Sequence, residues 1–420
     1  MKILKYFAIT LLAIVGLLVV AVILSATVFK DELVNYLSKS SDEQIQTYYV
    51  SDIPVEPENF AEDFKSIHSQ IVEKCSLYKQ KGYDIDSIYT TFASRIGRSV
   101  QTKADYGMML GEYFAALNIG HAGALLNVYA AEYHPAIVEG RVFIAAPNEH
   151  LVNCGFCDKD EVVAINGIPI EQYIDSRKRY TSASTEGYRL RRTQLGVFTS
   201  PTDSVITCNV RRGDNLLTLQ LPLTCTLQCD VQQAHYKVVN DKVGYICIES
   251  MTNGVVGDFK QDYEQVKDMP YLIVDVRQNG GGNSGNGRLI AEYLVRNPQE
   301  HCVGGDITPQ PNTYKGKLFL LTSNYTFSAA ESFTIDLKES GNAILVGEVT
   351  AGDTGCNPKN FVSKYGIWFR IPTRVPSLSP KGFPMEGVGI EPHYEIGQTI
   401  EDFFNDKDTA IEYILTELCK

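Results

Sequence analysis

Tyr271-Leu-Ile-Val-Asp-Val-Arg-Gln-Asn-Gly-Gly-Gly282 is an apolar run of strand length that ends abruptly in three glycines. A second run, Leu318-Phe-Leu-Leu-Thr-Ser-Asn-Tyr-Thr-Phe-Ser-Ala-Ala-Glu331, carries Ser328 to the start of a helical pattern over residues 329–338. Glycines let backbone N–H groups approach a ligand closely. A serine at a strand-to-helix turn, beside such a loop, exposes a nucleophile next to an oxyanion hole. Together the two stretches predict a serine hydrolase site, although each pattern alone also occurs in turns that bind phosphate or only reverse the chain.

Strand and helix signals alternate through the C-terminal half of the chain. Apolar runs at residues 245–248, 272–275, 318–321 and 344–347 predict strands, and residues 259–267 and 284–295 have helical spacing. Because strands separated by helices usually pair in parallel, the pattern predicts an α/β fold with a mostly parallel sheet.

Composition limits the classes of function. The chain has 420 residues, 44% of them hydrophobic, and a formal net charge of −12. This length predicts two or three domains. The acidic balance argues against a nucleic-acid partner, which would need basic phosphate contacts.

The N-terminus predicts an export signal. Residues 6–29 are almost continuously apolar and follow Lys2 and Lys5. The run is longer than the core of a cleaved signal peptide, so residues 1–30 are expected to form a signal anchor, with cleavage as the alternative. The positive N-terminal flank predicts that the rest of the chain lies outside the cytoplasm, in the periplasm or at the cell surface, or is secreted after cleavage.

Between this segment and the core, three further regions are predicted. Residues 31–58 are polar and contain two prolines, which indicates a stalk. Residues 59–134 begin with helical spacing and end with the turn that contains His121. Residues 135–228 are β-rich, with an Asn166-Gly167 turn and a hairpin around Gly213.

The two opening stretches resemble the serine peptidase family of tail-specific, C-terminal processing and tricorn-type proteases. That family combines an Asp-x-Arg-x-Asn-x-Gly-Gly strand end, a small-Ser-Ala-x-Glu turn and a Gly-Glu-x-Thr strand, which here reads Val346-Gly-Glu-Val-Thr350. The resemblance extends over about residues 58–396 and implies a ClpP/crotonase-like spiral core over residues 235–400, followed by a C-terminal helix at 401–420. Residues 155–170 resemble the core of PDZ domains, so residues 135–228 are interpreted as an inserted PDZ-like domain.

The resemblance also implies the catalytic groups. In the processing branch a lysine activates the serine, but Asp353 holds its place here, and Lys359 and Lys364 are displaced from the motif. The tricorn-like branch uses a histidine after a helical block and a glutamate before a Gly-Val/Ile-x-Pro tail. Those positions correspond to His121 and Glu386.

The sequence therefore predicts an acyl-enzyme mechanism. Ser328 is the expected nucleophile, His121 the general base and Glu386 the acid that orients the imidazole. Backbone N–H groups of Ala329 and of Gly280, Gly281 or Gly282 are expected to bind the oxyanion. The expected substrates are peptides or unfolded proteins, with no cofactor and no metal.

Two other interpretations remain open from the sequence. One is a non-catalytic ligand-binding or scaffold member of the fold, and the other is a peptide-binding sensor with a vestigial core. The ten cysteines include Cys154-x-x-Cys157, whose spacing is also seen in redox or zinc sites, but scattered thiols with one or two disulfides are the preferred interpretation.

Overall fold

The computed structural model describes residues 46–75, 77–224, 234–375 and 377–420. The predicted signal anchor, residues 1–30, and two of the cysteines, Cys225 and Cys229, lie outside these ranges. Over the described ranges, no helix combines the length and the apolar character needed to span a bilayer.

The elements of the described residues alternate between short strands and helices. The strands are β1 Tyr48–Tyr49, β2 Gly123–Ala124, β3 Leu126–Asn127, β4 Tyr129–Ala130, β5 Ala136–Val138, β6 Arg141–Phe143, β7 Glu161–Ile165, β8 Ile168–Pro169, β9 Thr199–Ser200, β10 Val205–Arg212, β11 Asn215–Pro222, β12 Ala234–Asn240, β13 Val243–Ile248, β14 Tyr271–Asp275, β15 Gln299–Glu300, β16 Asp306–Ile307, β17 Lys317–Thr322, β18 Ala343–Gly347, β19 Pro358–Val362, β20 Trp368–Pro372 and β21 Tyr394–Glu395. The α-helices are α1 Phe60–Lys74, α2 Leu77–Gln80, α3 Ile85–Ala93, α4 Lys103–Ala116, α5 Glu149–Asn153, α6 Ile170–Arg177, α7 Glu186–Leu195, α8 Val255–Val266, α9 Ser284–Ala291, α10 Ala329–Ser340, α11 Ile400–Phe404 and α12 Thr409–Tyr413.

A six-stranded sheet forms the centre of the C-terminal half. Its order is β12-β13-β14-β17-β18-β21, and every pairing except β12 with β13 is parallel. Helices α8, α9 and α10 contribute buried side chains to the same apolar core as its strands. The predicted α/β architecture with mostly parallel strands is confirmed. Parallel strands place their carboxyl ends at one edge, so the glycine loop after β14 and the Ser328 turn after β17 lie side by side.

The helical block shares an apolar core with β20 and the residue before it, through Ile367, Phe369 and Ile371. Helices α1 to α4 bury a continuous set of aliphatic and aromatic side chains. Helix α4 begins at a capping box in which the Thr102 side chain accepts from Asp105 N–H and the Asp105 carboxylate accepts from Thr102 N–H. Such reciprocal bonds satisfy two N–H groups that a helix start would otherwise leave unpaired.

The expected stalk is wrong where the structure describes it. Val50, Ile53 and Val55 are buried against the helical block, and β1 pairs in parallel with β3. Three buried aliphatic side chains within six residues make the segment part of the fold, despite its polar composition and prolines.

Residues 135–223 form a second sheet, of order β11-β10-β7-β6-β5, with β8 paired to β7. The predicted Asn166-Gly167 turn joins β7 to β8, and Gly213 lies in the hairpin between β10 and β11. Helices α5, α6 and α7 belong to this part of the chain. The expected C-terminal helix is instead divided into α11, α12 and a π-helical turn at Ile414–Leu418. The eight cysteines in the described ranges are free thiols, so the structure contains no disulfide there.

Candidate active site

Ser328 lies at the N-cap of α10, six residues after β17 ends. Its backbone has φ 59° and ψ −121°, a conformation that residues other than glycine rarely adopt. Strain of this kind persists only where surrounding contacts impose it, and it is typical of an exposed nucleophile on a sharp turn. One such contact is the Ser328 N–H, which donates to the carbonyl oxygen of Asp353 (3.0 Å).

His121 reaches Ser328 from the other half of the chain. It follows α4, which ends at Ala116, and its Nε2 lies 2.9 Å from Oγ of Ser328. Its Nδ1 lies 2.5 Å from Oδ1 of Asp353. The imidazole also stacks on the Phe327 ring, with centroids 4.3 Å apart. Of the sequence-predicted groups, Ser328 and His121 are therefore brought into direct contact, although 207 residues separate them.

Asp353 contacts the imidazole where Glu386 was expected. It is 1% exposed, and its Oδ1 also accepts the Gly355 N–H (3.0 Å), while Oδ2 lies 2.8 Å from Oγ of Ser184. Burial by itself would raise the pKa of the Asp353 carboxyl, but the charge of His121 and hydrogen bonds from His121 and Ser184 outweigh it and lower the pKa to about 2. An ionised Asp353 therefore fixes the Nδ1–H tautomer and leaves Nε2 free to accept a proton from Ser328.

The expectation that Glu386 orients His121 is corrected by this geometry. Ser184 lies between Glu386 and Asp353. Oε1 of Glu386 is 2.6 Å from Oγ of Ser184 and 2.7 Å from Nζ of Lys81. Burial, and after it the negative charge of Asp353, raise the pKa of the Glu386 carboxyl to about 8 against the opposing effect of Lys81.

Ser184 joins the two acids with a single hydroxyl proton. Since its Oγ is within hydrogen-bond distance of both carboxyl groups, one of these contacts requires a proton from a carboxyl. Glu386 is the group that holds this proton at neutral pH, because its pKa is raised while that of Asp353 is lowered. Asp353 and Glu386 together therefore carry one negative charge, which lies on Asp353, the carboxylate in contact with His121.

Glu331 anchors the loop that carries Asp353. Its Oε1 accepts the Thr350 hydroxyl (2.5 Å) and the Gly352 N–H (2.7 Å), and its Oε2 accepts the Asp353 N–H (2.7 Å). Burial raises the pKa of the Glu331 carboxyl to about 7, and these three donors oppose that rise. The glutamate of the serine turn thus fixes the position of the aspartate loop.

The glycine loop packs directly on the serine turn. A Cβ at Gly281, whose φ is +100°, would lie 2.6 Å from Cβ of Ser328 and 3.1 Å from N of Ala329. Glycine is therefore required at this position by both its conformation and the space beside the nucleophile.

The predicted oxyanion donors are not equivalent. Gly281 N–H donates to Oδ1 of Asn279 (2.9 Å), so that donor is already used within the chain. The N–H groups of Gly280, Gly282 and Ala329 find no acceptor within the described ranges. They are the donors that remain for a developing oxyanion.

The lysines considered for a Ser–Lys mechanism lie elsewhere. Lys359 is exposed on β19, and Lys364 is exposed and pairs with Glu62. The base in contact with Ser328 is the imidazole.

The sequence matches known families over the regions that carry this geometry. Residues 242–396 match peptidase family S41, and residues 137–223 match the N-terminal domain described for Bacteroidetes S41 family peptidases. The chain carries a peptidase family S41 domain. Residues 242–396 are thus a serine peptidase domain by family, and the resemblance seen in the motifs is confirmed.

Curated relatives match part of their own length. Tricorn protease of Thermoplasma acidophilum is 30% identical over 192 residues, which cover 42% of this chain and 16% of that protein. Tail-specific protease of Haemophilus influenzae is 28% identical over 126 residues, covering 28% of this chain and 18% of that protein. The chain therefore spans less than a fifth of these S41 relatives.

Among solved structures, the S41-type fold is shared with mature CPAF. The TM-score is 0.68 at 15% identity, and the match covers 85% of this chain and 96% of that one. At this identity the likeness describes the fold.

Three residues of the site were missed by reasoning from the sequence: Asp353, Ser184 and Lys81. Asp353 carried a signal, because a carboxylate stood in the place of the processing-branch lysine. Ser184 and Lys81 carried none, since their roles depend on the contact between the helical block, the β-rich unit and the core.

Proposed function

We propose that the chain hydrolyses peptide bonds through an acyl-enzyme on Ser328, with His121 as general base and Asp353 as the orienting acid. The observation that carries this proposal is the continuous set of contacts from Oγ of Ser328 through both ring nitrogens of His121 to Asp353. A nucleophile, a base and a group that orients the base, in mutual hydrogen-bond contact, is the arrangement that acyl transfer requires.

The reaction follows from the proton positions. As Oγ of Ser328 attacks the scissile carbonyl carbon, its proton passes to Nε2 of His121, and the carboxylate of Asp353 stabilises the imidazolium that forms. The free N–H of Ala329, with one from the glycine loop, donates to the carbonyl oxygen as it becomes negative. The imidazolium then gives its proton to the leaving amine. A water molecule, deprotonated by the same nitrogen, releases the acyl group.

The role of Glu386 changes in this mechanism. As a neutral acid behind Ser184, it supplies hydrogen bonding to the pair rather than charge to the imidazole. Lys81, from the helical block, holds the Glu386 carboxyl in place (2.7 Å).

Endopeptidase action on peptides or unfolded proteins extends the proposal. Residues 135–223 are proposed to be PDZ-like, and their sheet ends at the edge strand β5, beside which α7 packs. An extended peptide can add a strand at such an edge. The core is proposed to have the ClpP/crotonase-like spiral arrangement.

We also propose that the catalytic part acts outside the cytoplasm, anchored by residues 1–30 or released by their cleavage. The length of the apolar run and its basic flank support this location.

Cleavage of a quenched fluorogenic peptide mixture by the full chain tests the proposal. Ser328→Ala should abolish cleavage. Ser332→Ala is the matched control, because Ser332 lies one turn further along α10 and its buried hydroxyl has no partner within the described residues. If Ser328→Ala cleaves as the wild type does, or if the folded wild type cleaves no peptide and reacts with no serine-directed probe, the proposal is wrong and the binding-protein interpretation replaces it.

A further inference from the structure

A cavity of about 400 Å³ lies where the helical block, the β1–β3 ribbon and the β-rich unit meet. One wall is apolar and includes Val50, Met108, Leu126 and Val128. Ser328, His121 and Asp353 do not line it. Its volume falls in the range of small-molecule sites, and its position at a junction between parts of a fold is typical of them.

Two glycines of α4 contribute to the cavity. Gly107 and Gly111 lie one helical turn apart and both line it. At Gly107, a Cβ would lie 2.9 Å from Cβ of Val50, so glycine there allows the β1 segment to approach the helix. At Gly111, the nearest atom to a Cβ would be Cδ1 of Tyr180 at 3.7 Å, an ordinary contact distance. Position 111 therefore has room for a side chain that the sequence does not supply.

The lining also includes two cationic side chains. Arg177 and Arg192 both line the cavity, and none of the described lining residues is acidic. Arg177 donates to the Thr199 hydroxyl (3.2 Å), and Arg192 donates to the carbonyl oxygen of Ser182 (2.9 Å). Within the described residues, neither guanidinium forms an ion pair, whereas most other arginines here do. In a chain of net charge −12, two arginines without a carboxylate partner in one concavity concentrate positive potential there.

We propose that this cavity binds an organic carboxylate with an apolar body, the carboxylate between Arg177 and Arg192 and the hydrocarbon against the wall of Met108 and Leu126. A guanidinium fork matches the geometry of a carboxylate and keeps donors to spare after one bond to the protein. The apolar wall favours hydrocarbon over a strongly hydrated dianion such as phosphate. The free carboxyl end of an apolar peptide and a medium-chain fatty acid share this chemistry.

Methionine methyl NMR can test the site directly. The chain has six methionines, of which Met108 lines the cavity, while Met251 lies against the glycine loop beside Ser328. The full chain with Ser328→Ala, which prevents turnover, would be labelled at the methionine methyl groups and titrated with octanoate and with N-acetyl-leucyl-leucine. Octanamide and the C-terminal amide of the dipeptide are the matched neutral ligands. The Met108 signal is assigned by Met108→Leu.

The expected result is a saturable shift of the Met108 signal by one or both acids at millimolar concentrations, with Met251 unmoved and both amides inactive. Octanoate binding alone identifies a fatty acid site, and dipeptide binding alone identifies a peptide carboxyl site. Arg177→Gln and Arg192→Gln should each weaken binding about tenfold. The exposed Arg98→Gln, outside the cavity, should not.

Gly111→Leu adds a large side chain to the cavity while both arginines are retained and should abolish the shift, whereas Gly111→Ala should only weaken it. Equal binding of acids and amides, a shift at Met251 instead of Met108, or unchanged binding in both arginine variants would overturn the proposal. Because peptide cleavage is measured separately, failure here leaves the assignment of Ser328 unaffected.

Discussion

Asp353→Asn separates the geometric role of this residue from its charge. Oδ1 of Asp353 accepts two N–H groups, from Nδ1 of His121 and from Gly355, while Oδ2 faces Ser184. An asparagine is therefore expected to place its carbonyl oxygen at the first position and its NH₂ toward Ser184. The imidazole keeps the working tautomer and loses the negative charge beside it. After burial, the negative charge of Asp353 is the second cause that raises the pKa of Glu386. Its removal lowers this pKa, and with Lys81 beside it Glu386 is expected to ionise and supply a charge further away.

The size of the effect follows from the distances. A unit charge about 4 Å from the imidazolium, at an effective dielectric constant of about 20, contributes about 4 kcal/mol. At 1.36 kcal/mol per tenfold, that is roughly a thousandfold in rate. A negative charge on Glu386, at roughly twice the distance from the imidazolium, supplies about half of the lost electrostatic stabilisation. Asp353→Asn alone should therefore slow acylation roughly thirtyfold, and Asp353→Asn with Glu386→Gln roughly a thousandfold. Glu386→Gln alone should change the rate by less than about threefold, because the group is neutral at pH 7.

The assay is the second-order rate of inactivation by a fluorophosphonate, which reports the attack of Ser328 without a deacylation step. The four proteins of the double-mutant cycle are compared at pH 7, with unfolding in urea measured in parallel to confirm that each is folded. If Glu386→Gln alone slows inactivation as much as Asp353→Asn does, Glu386 and not Asp353 is the orienting acid. If the rate reduction in the double variant equals the product of the reductions in the two single variants, the charge on Glu386 does not replace that on Asp353.

Four further changes have defined outcomes. Gly281→Ala places a methyl carbon 2.6 Å from Cβ of Ser328, at a φ of +100°, and should slow inactivation about a hundredfold. A rate near that of the wild type would mean that the glycine loop does not form part of the site. The folded protein holds the Glu386 proton up to about pH 8, whereas the unfolded chain releases it near 4.5, so the free energy of unfolding should fall as pH rises between these values. Glu331, with its pKa raised to about 7, adds to this decline. Glu386→Gln should therefore reduce the slope in urea titrations without removing it, and an unchanged slope would contradict the raised pKa of Glu386. Thr102→Ala removes the α4 capping box and should lower the free energy of unfolding by about 1 kcal/mol while leaving peptide cleavage intact. Lys359→Ala should leave fluorophosphonate labelling unchanged, and loss of labelling would revive the Ser–Lys mechanism.

The sequence predicted the parts of the site that depend on strand ends. Residues 271–275 and 317–322 form the neighbouring parallel strands β14 and β17, and the carboxyl ends of parallel strands lie at the same edge of the sheet. The loop glycines and Ser328 therefore had to lie together, with little dependence on the rest of the fold. His121 was predicted through family resemblance, since the turn after a helical block has no spacing that identifies a base.

The orienting acid was not predictable in the same way. Asp353 lies 232 residues from His121, and their contact depends on a loop that Glu331 fixes through three hydrogen bonds. In the sequence, Asp353 and Glu386 are two carboxylates near plausible motifs. Contacts made only in the fold separate their protonation states: His121 lowers the pKa of Asp353, while burial and the charge of Asp353 raise that of Glu386 against Lys81. A similar limit applies to Val50, whose buried position depends on a glycine in a helix more than fifty residues away.

In the proposed mechanism, His121 activates Ser328. Intact-mass analysis of the full chain after exposure to a fluorophosphonate, with Ser328→Ala and His121→Ala beside the wild type, tests this activation. We predict one adduct on the wild type at Ser328, none on Ser328→Ala, and a labelling rate for His121→Ala lower by about 10³ or more. A folded wild type that takes up no adduct, or a His121→Ala protein labelled as fast as the wild type, would show that His121 does not activate Ser328.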